Sequence, residues 1–538
     1  MTRSIPTVTW PQAPDRNEAA GWRTAFWIVW TLLLAVKIVL AATLAPFGDE
    51  AWYWQESRAL DWSYSDLPLA TAALIRAGET LLGHSVLAMR MPFLLLGSLV
   101  APVLARIGGR LFEERIGWQA GLLASGLPLL ATLGMFALPD APLTLCAVLA
   151  LDFLERAART HRRRDWTLLG LALAGAWLSH YRAAMLMLTG LAFLLFSAHG
   201  RALWRDRGLW IAMAISLAGL VPILLFNAQH DWVALGFQLV ERNPWRFHSD
   251  GLIQPIEQAI VCTPLFFAAM LWALWRCMKR IERGGPWDLL AIGAAVPVIA
   301  WFVLGCFADD TRLRLHWPLP GYLPLLVALP ALLAERPVEI EHRLQGALAK
   351  ATFALLAVGC LATLAYFAMA AVPGGASALA RFKAFPEHWV GWNEVSARTR
   401  SLLAEPRYRD ATLVADNFML AAELDFALDA SRPVYTLDHP INAKHGRVPQ
   451  LALWRRDETA LRALGPRPLL LVIEPTARRE RERAAWLNAV CARVADPELA
   501  DTLEVYAGRK RYLFVNAGGL ADERAARDAS IVPDCALR

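Results

Sequence analysis

Charged residues are scarce in this chain. Only 19% of its 538 residues are Asp, Glu, Lys or Arg, whereas 56% are hydrophobic and the mean hydropathy is +0.36. A string of soluble domains would need more polar surface, so the composition excludes that class. The few charges are also unevenly spread, because charge density is low up to about Val372 and ordinary after Pro373.

Several signatures are missing as well. The sequence has no internal repeat, no glycine-rich phosphate loop and no signal-peptide cleavage site after its first apolar segment, which favours a retained anchor. Its basic residues are divided among short segments instead of one surface, which excludes a nucleic-acid partner. Metal-ligand spacing is absent from the cysteines in or near apolar segments: Cys146, Cys262, Cys277, Cys306 and Cys360. Cys491 and Cys535 lie further on, and whether they form a disulfide is left open.

Long apolar segments dominate residues 1–372. They run for roughly 18 to 22 residues, enough to cross a hydrocarbon core of about 30 Å. We expect an α-helical polytopic membrane domain over residues 1–372 and an α/β domain over residues 373–538. About eleven spans are predicted, at approximately residues 24–45, 91–108, 118–137, 141–156, 166–179, 183–199, 209–227, 255–276, 287–307, 317–334 and 349–371. In the α/β part, strands are predicted at 411–415, 468–473 and 512–515, and helices at 420–428 and 478–490.

The segments that connect the spans alternate in charge. One set is rich in arginine, as in Arg162-Arg163-Arg164, whereas the other is acidic and poor in Lys and Arg. The positive-inside rule therefore places the N-terminus in the cytoplasm, and an odd number of spans places the α/β domain outside. We expect a multi-pass protein of the bacterial inner membrane whose C-terminal domain is periplasmic.

The predicted outer loops carry the candidate chemistry. Asp49 and Glu50 follow the first span directly and precede the aromatic run Trp52-Tyr53-Trp54. Two amphipathic helices, at 51–60 and 69–82, are expected to lie in the membrane interface beyond them. Asp140 lies between two prolines in a second, very short loop, which should hold its carboxylate in place. Such carboxylates suit a general base, a divalent cation site, or both.

Other side chains of the same loops supply positive charge and aromatic surface. The candidates for binding a phosphate are His180, Arg182, Arg312, Arg314 and His316. Trp52, Tyr53 and Trp54 could stack on a sugar, but anchoring in the lipid headgroups is the simpler interpretation. In the α/β domain Asp416, Asn417 and Glu423 could shape an acceptor site or cap a helix.

The order of these motifs resembles a known family. Asp49-Glu50-Ala51-Trp52-Tyr53-Trp54 and the stretch from Leu60 to Pro68 are similar to the first outer loop of the polyprenyl-phosphate-sugar-dependent glycosyltransferases of the GT-C fold. That family includes the protein O-mannosyltransferases and the bacterial aminoarabinose transferase that acts on lipid A. The likeness continues through Arg90-Met91-Pro92, Leu138-Pro139-Asp140-Ala141-Pro142, His180-Tyr181-Arg182, His316-Trp317-Pro318 and residues 415–426.

The resemblance implies a reaction and a set of roles. A sugar carried on a polyprenyl phosphate, usually undecaprenyl phosphate in bacteria, passes to a hydroxyl or phosphate of an envelope glycan, lipid or protein, with inversion. Asp49 corresponds to the acid taken as the base, Glu50 supports it, and Asp140 is the second acid of the site. Tyr53, Trp54 and Asp66 are the candidates for binding substrate. We expect a monomer that contacts membrane lipids, with no certain cofactor and a divalent cation left open.

Two positions depart from the family pattern. Members commonly carry His or Lys before the proline of Asp66-Leu67-Pro68, where this chain has Leu67, so charge for the donor phosphate must come from elsewhere. Trp52 stands where the aminoarabinose transferases carry Arg, which argues against lipid A as the acceptor.

Two alternatives belong to other functional classes. A lipid-linked sugar transporter should show repeated halves with broken helices and charges near the midplane, and the sequence shows no such halves. A non-catalytic protein that binds envelope glycans would tolerate loss of all three acids.

Overall fold

The computed structural model describes residues 16–242, 245–307, 315–335, 339–382, 384–521, 535 and 537. The described residues up to 382 are mainly helical. The α-helices are α1 (Arg16–Thr43), α2 (Gly48–Arg58), α3 (Ala70–Leu82), α4 (Val86–Leu111), α5 (Glu114–Gly126), α6 (Pro128–Ala131), α7 (Asp140–Thr160), α8 (Arg163–Ser179), α9 (Ala183–Phe196), α10 (Ala198–Ala202), α11 (Arg207–Ala218), α12 (Val221–Gln229), α13 (Val233–Gly236), α14 (Gln254–Cys262), α15 (Pro264–Met278), α16 (Pro286–Leu304), α17 (Leu319–Ala334), α18 (Glu339–Ala370) and α19 (Pro373–Ala380).

Several of these helices can cross a membrane. By length and composition, five described segments are long and apolar enough, and up to seven if each of two bent pairs is one span. The five contain α1, α4, α11 with α12, α16 and α18. The pairs bend by 87° between α9 and α10 and by 113° between α14 and α15. Thr263 lies at the second bend with φ of +65° and precedes Pro264, which removes a backbone donor just where the helix breaks.

The first predicted outer loop is helical, as expected. The helices are α2 and α3, although α2 begins three residues before the predicted start. Its beginning is fixed locally, because the backbone N–H of Phe47 donates to the Glu50 carboxylate at 2.9 Å. Asp49 and Glu50 occupy the first turn, where negative charge complements the helix dipole.

The C-terminal part is a mixed α/β domain. Its strands are β1 (Thr412–Ala415), β2 (Val434–Thr436), β3 (Leu469–Ile473), β4 (Val494–Ala495), β5 (Glu498–Val505), β6 (Lys510–Ala517) and β7 (Gly519–Leu520), and its helices are α20 (Trp392–Ala404), α21 (Phe418–Ala427), α22 (Pro440–Lys444), α23 (Val448–Leu453), α24 (Glu458–Ala463) and α25 (Glu480–Arg493). The main sheet has the order β2-β1-β3-β6-β5, in which β1 is parallel to β2 and β3, and β6 is antiparallel to β3 and β5.

Most predicted elements of this domain are confirmed. β1, β3, β6, α21 and α25 all lie where the sequence places them, within a few residues. β2 and β5 are missing from the prediction. β2 has only three residues, and β5 is largely half-exposed or exposed, so neither shows a clear apolar pattern.

The C-terminal domain covers the first loop of the helical part. α21 packs on α2, and Met419 lies so close to Gly48 that a Cβ there would be 3.0 Å from its side chain. Trp52 contacts Phe418, and Trp54 contacts Phe426. Trp52, Tyr53 and Trp54 are therefore buried between the two parts, which corrects the interpretation that they anchor in lipid headgroups.

Polar groups cluster after β1 and β3. Asn417 caps α21 by accepting from the Leu420 N–H at 3.1 Å, so the capping alternative is confirmed for this residue. Asp416 is fully buried and accepts hydrogen bonds from Asn417 at 2.7 Å and from the Trp486 indole at 3.2 Å.

A disulfide bond joins Cys491 to Cys535 in the C-terminal domain, and their Cα atoms are 5.9 Å apart.

Asp416 makes the stability of the domain dependent on pH. Burial, and then the charge of Glu474, raise the pKa of Asp416 from 3.8 to about 7. Because the folded pKa is raised, stability is fully present below pH 4 and is lost as the pH rises through 7. We expect Asp416→Asn to gain roughly 2–3 kcal/mol relative to wild type between pH 5 and pH 8. Thermal melting of both proteins at the two pH values tests this. A difference in stability between Asp416→Asn and wild type that is the same at pH 5 and pH 8 would contradict it.

Candidate active site

A buried ion pair between Arg90 and Glu50 fixes the segment after α1 that carries Asp49 and Glu50. Arg90 donates from Nε to Glu50 Oε1 at 2.8 Å and from Nη2 to Oε2 at 2.6 Å, and both side chains are fully buried. The same guanidinium donates to the backbone carbonyls of Ala41, Leu44 and Ala45 at 2.8 to 2.9 Å. Arg90 thus satisfies carbonyls that the end of α1 leaves open and turns the chain into α2.

Glu50 also joins the first loop to the second. Its Oε1 accepts from the backbone N–H of Ala137 at 2.6 Å, three residues before Asp140. The buried ammonium of Lys37 donates to the Leu133 carbonyl at 2.5 Å and holds the same loop to α1. The buried carboxylate of Glu50 therefore joins the loop that carries Asp49 to the loop that carries Asp140.

Asp49 belongs to an acidic cluster closed by an arginine of the C-terminal domain. Arg447, between α22 and α23, contacts Asp49 through Nη2 at 3.1 Å and contacts Asp66 and Glu56 through Nη1. Its guanidinium lies 4.9 to 5.3 Å from the ring centres of Trp52, Tyr53 and Phe418. Only 3% of the Arg447 side chain is exposed, so its contacts with these carboxylates are shielded from solvent.

Burial affects the protonation of Glu56 in this cluster. Burial, and then the neighbouring Asp66, raise the pKa of Glu56 well above its usual value, which outweighs the opposing effects of Arg447 and Trp52. Burial in this cluster therefore favours the protonated form of Glu56. Tyr181, in the loop between α8 and α9, also contacts the first loop, because its hydroxyl lies close to Ser63.

Asp140 forms a second cluster with cations. Its Oδ1 is 2.6 Å from Arg182 Nη2 and 3.2 Å from His316 Nε2. Burial alone would raise the pKa of Asp140, but the charges of His316 and Arg182 lower it below its usual range. His180 is buried and uncharged at pH 7, because desolvation and then Arg182 lower its pKa, and its Nδ1 accepts from the Arg182 N–H at 3.0 Å.

The acids of the two clusters differ in the exposed fraction of their side chains. The side chains of Asp49 and Asp140 are each 20% exposed, whereas those of Glu50, Glu56 and Asp66 are 0 to 6% exposed. Asp49 and Asp140 are consequently the acids of these clusters that a bound substrate can touch, and the others hold them in place.

The remaining predicted residues are placed as follows. Trp54 is fully buried and donates to Glu79 at 2.8 Å, Tyr53 lies beside Arg447, and Arg312 and Arg314 fall outside the described residues. Glu423 is buried on α21, where desolvation and then Glu50 raise its pKa. Within the described residues, no group of three or more His, Cys, Asp or Glu is arranged to hold a metal ion.

Sequence reasoning missed Arg447 and Arg242. Arg447 is 398 residues from Asp49 along the chain, and nothing in His445-Gly446-Arg447 sets it apart from other surface arginines. The guanidinium of Arg242 lies 5.2 Å from the centre of the Trp317 ring, and that of Arg182 lies 5.5 Å from the same ring. Arg242, Arg182 and His316 therefore supply positive charge around Trp317 and Asp140, whereas Leu67 supplies none.

The fold has solved counterparts. The structure of ArnT from Cupriavidus metallidurans bound to undecaprenyl phosphate is similar, with a TM-score of 0.63 over 92% of this chain and 98% of that one, at 17% identity. Its apo structure has the same TM-score at 16% identity. The chain is thus a multi-pass helical membrane protein with a C-terminal α/β domain, in the fold of these structures.

Sequence comparisons find similarity to glycosyltransferases. Residues 66–226 match the family model described as dolichyl-phosphate-mannose-protein mannosyltransferase. A relative is the lipid A galacturonosyltransferase RgtD of Rhizobium johnstonii, 27% identical over 406 residues, which cover 72% of this chain and 79% of the relative. The chain is therefore similar in sequence to membrane glycosyltransferases and shares the fold of ArnT.

Proposed function

We propose that the protein transfers a sugar acid from undecaprenyl phosphate to a hydroxyl of a lipid A-type glycolipid. The name of the Rhizobium relative supports both the sugar class and the acceptor. The departure at Trp52 carries little weight against lipid A, because this side chain is fully buried against Phe418 and Trp454 and is not available to an acceptor.

The reaction assigns a role to each cluster. The acceptor oxygen attacks the anomeric carbon, the bond from that carbon to the phosphate oxygen breaks, and the lipid phosphate leaves with its charge increased. Asp49 accepts the hydroxyl proton during attack. Arg182 and His316, held by Asp140, stabilise the departing phosphate. Glu50 is a positioning residue, because both of its oxygens are occupied by Arg90 and by backbone N–H groups.

One observation carries this proposal. Two partly exposed carboxylates on different loops are each paired with a buried arginine, and a single buried glutamate ties their loops together. Charged groups buried in a membrane protein are expensive, and such a convergence is typical of a functional site. A structural ion pair would not need the exposed edge that Asp49 and Asp140 both retain.

The orientation in the membrane follows the charge pattern. We propose that α5, α7, α8 and α17 also cross the membrane, which with the five long segments and the two bent pairs gives eleven spans. The arginine-rich turns then face the cytoplasm with the N-terminus, and the site and residues 373–538 lie in the periplasm.

Direct assay tests the proposal. The purified protein in nanodiscs is given undecaprenyl-phosphate galacturonic acid and lipid A, and the products are examined by mass spectrometry. We expect lipid A to gain a hexuronosyl residue and free undecaprenyl phosphate to appear in equal amount. Release of undecaprenyl phosphate without a modified lipid A would refute the acceptor, and an unchanged donor in the presence of several glycolipid acceptors would refute the activity.

A further inference from the structure

We infer that Arg447 binds the carboxylate of the donor sugar and sets the specificity of the enzyme for sugar acids. This inference rests on the proposed function and adds the residue that reads the sugar. Arg447 belongs to the C-terminal domain, yet its guanidinium lies in the acidic cluster of the first loop, 3.1 Å from Asp49.

The chain contains its own example of how an arginine holds a carboxylate. Arg90 uses the edge formed by Nε and Nη2 to bind both oxygens of Glu50, at 2.8 and 2.6 Å. The same edge of Arg447 is only half used. Its Nε is buried and has no hydrogen-bond partner among the described residues, and its Nη2 reaches Asp49 at the longer distance of 3.1 Å. A carboxylate that arrives beside Asp49 would complete this edge.

The two clusters together offer two such places for anions. Arg182 repeats the pattern, because its Nη2 binds Asp140 at 2.6 Å while its buried Nε has no partner among the described residues. Every polyprenyl-phosphate sugar brings one phosphate, and the Asp140 cluster can hold it. A second anion site is required only if the donor carries a second negative group. In a hexuronic acid donor, that group is the carboxylate of the sugar.

Binding at Arg447 would also act on Asp49. A substrate carboxylate that takes Nη2 competes directly with the Asp49 contact. A carboxylate that loses a cationic partner is a stronger base, so the correct sugar would activate Asp49 at the moment it binds. A neutral hexose leaves the Arg447–Asp49 contact in place.

A matched pair of donors tests the inference. Undecaprenyl-phosphate galacturonic acid and undecaprenyl-phosphate galactose differ only in the carboxylate. We expect wild type to prefer the acid in kcat/KM, and Arg447→Met to lower the ratio of kcat/KM for the acid to kcat/KM for galactose roughly 10²-fold. Arg447→Lys, which keeps the charge without the planar edge, should lower the same ratio about tenfold. Arg456→Met is the control, because Arg456 pairs with buried Asp425 at 2.7 Å outside these clusters.

The outcomes separate the inference from the proposed function. If Arg447→Met lowers transfer of both sugars equally, Arg447 is structural and the inference is wrong although the enzyme still works. Should Arg447→Met not fold, the acid-to-galactose ratio of Arg447→Lys decides, and an unchanged ratio refutes the inference. If wild type transfers neither sugar to any acceptor, the proposed function itself fails.

Discussion

Asp49→Asn is expected to leave a folded protein that transfers sugar roughly 10²- to 10⁴-fold more slowly than wild type. The amide keeps the size of the carboxylate and can still accept a hydrogen bond, but it cannot take the proton of the acceptor hydroxyl. Asp49 is the partly exposed acid of its cluster, whereas Glu56 and Asp66 are buried and already engaged. Single-turnover transfer from undecaprenyl-phosphate galacturonic acid to lipid A measures the effect.

A neighbouring acid provides the control for Asp49. Asp61 lies in the same loop, and its carboxylate accepts from the Trp62 N–H at 2.6 Å. Asp61→Asn should change the rate of transfer less than about twofold, because an acid outside the proton-transfer step contributes nothing to it. An Asp49→Asn protein that retained the turnover of wild type would remove Asp49 from the role of base.

Glu50→Gln is expected to act on the fold instead of the chemistry. The change leaves the Arg90 guanidinium buried without a counter-charge, and breaking a buried pair in this way costs about 3–5 kcal/mol. It also weakens the acceptors for the N–H groups of Ala137 and Phe47. We expect a large drop in the thermal melting temperature. We also expect the rate of sugar transfer to fall in proportion to the amount of folded protein.

An exposed pair serves as the comparison for Glu50. Glu18 contacts Arg115 at 2.9 Å with half of its side chain exposed, so Glu18→Gln should cost less than about 1 kcal/mol. A Glu50→Gln protein as stable as wild type but inactive would make Glu50 part of the reaction, and our assignment of a positioning role would be wrong.

The sequence predicts the parts of this protein that depend on local patterns. Apolar length gives the membrane helices, and short runs of apolar residues give β1, β3 and β6, because each signal is contained in a short window. The acids Asp49 and Asp140 could be chosen as candidates because they lie at the ends of apolar segments, where a charge stands out. The family resemblance ordered them into one reaction.

Long-range contacts could not be predicted in the same way. Arg447 reaches Asp49 across 398 residues, and this contact depends on how the C-terminal domain packs on α2 through α21. The burial of Trp52 and Trp54 has the same origin, since an aromatic run at the end of a span looks identical whether lipid or a second domain covers it. Length and composition identify five spans, or up to seven with the bent pairs, because α5, α8 and α17 are short and proline interrupts α17.

The most direct test of the central claim is a cryo-EM structure of Asp49→Asn with undecaprenyl-phosphate galacturonic acid bound. The account predicts that the phosphate contacts Arg182 or His316, that the anomeric carbon faces position 49, and that residues of both loops touch one ligand. A donor headgroup bound away from both positions, or positions 49 and 140 that face separate compartments, would contradict it.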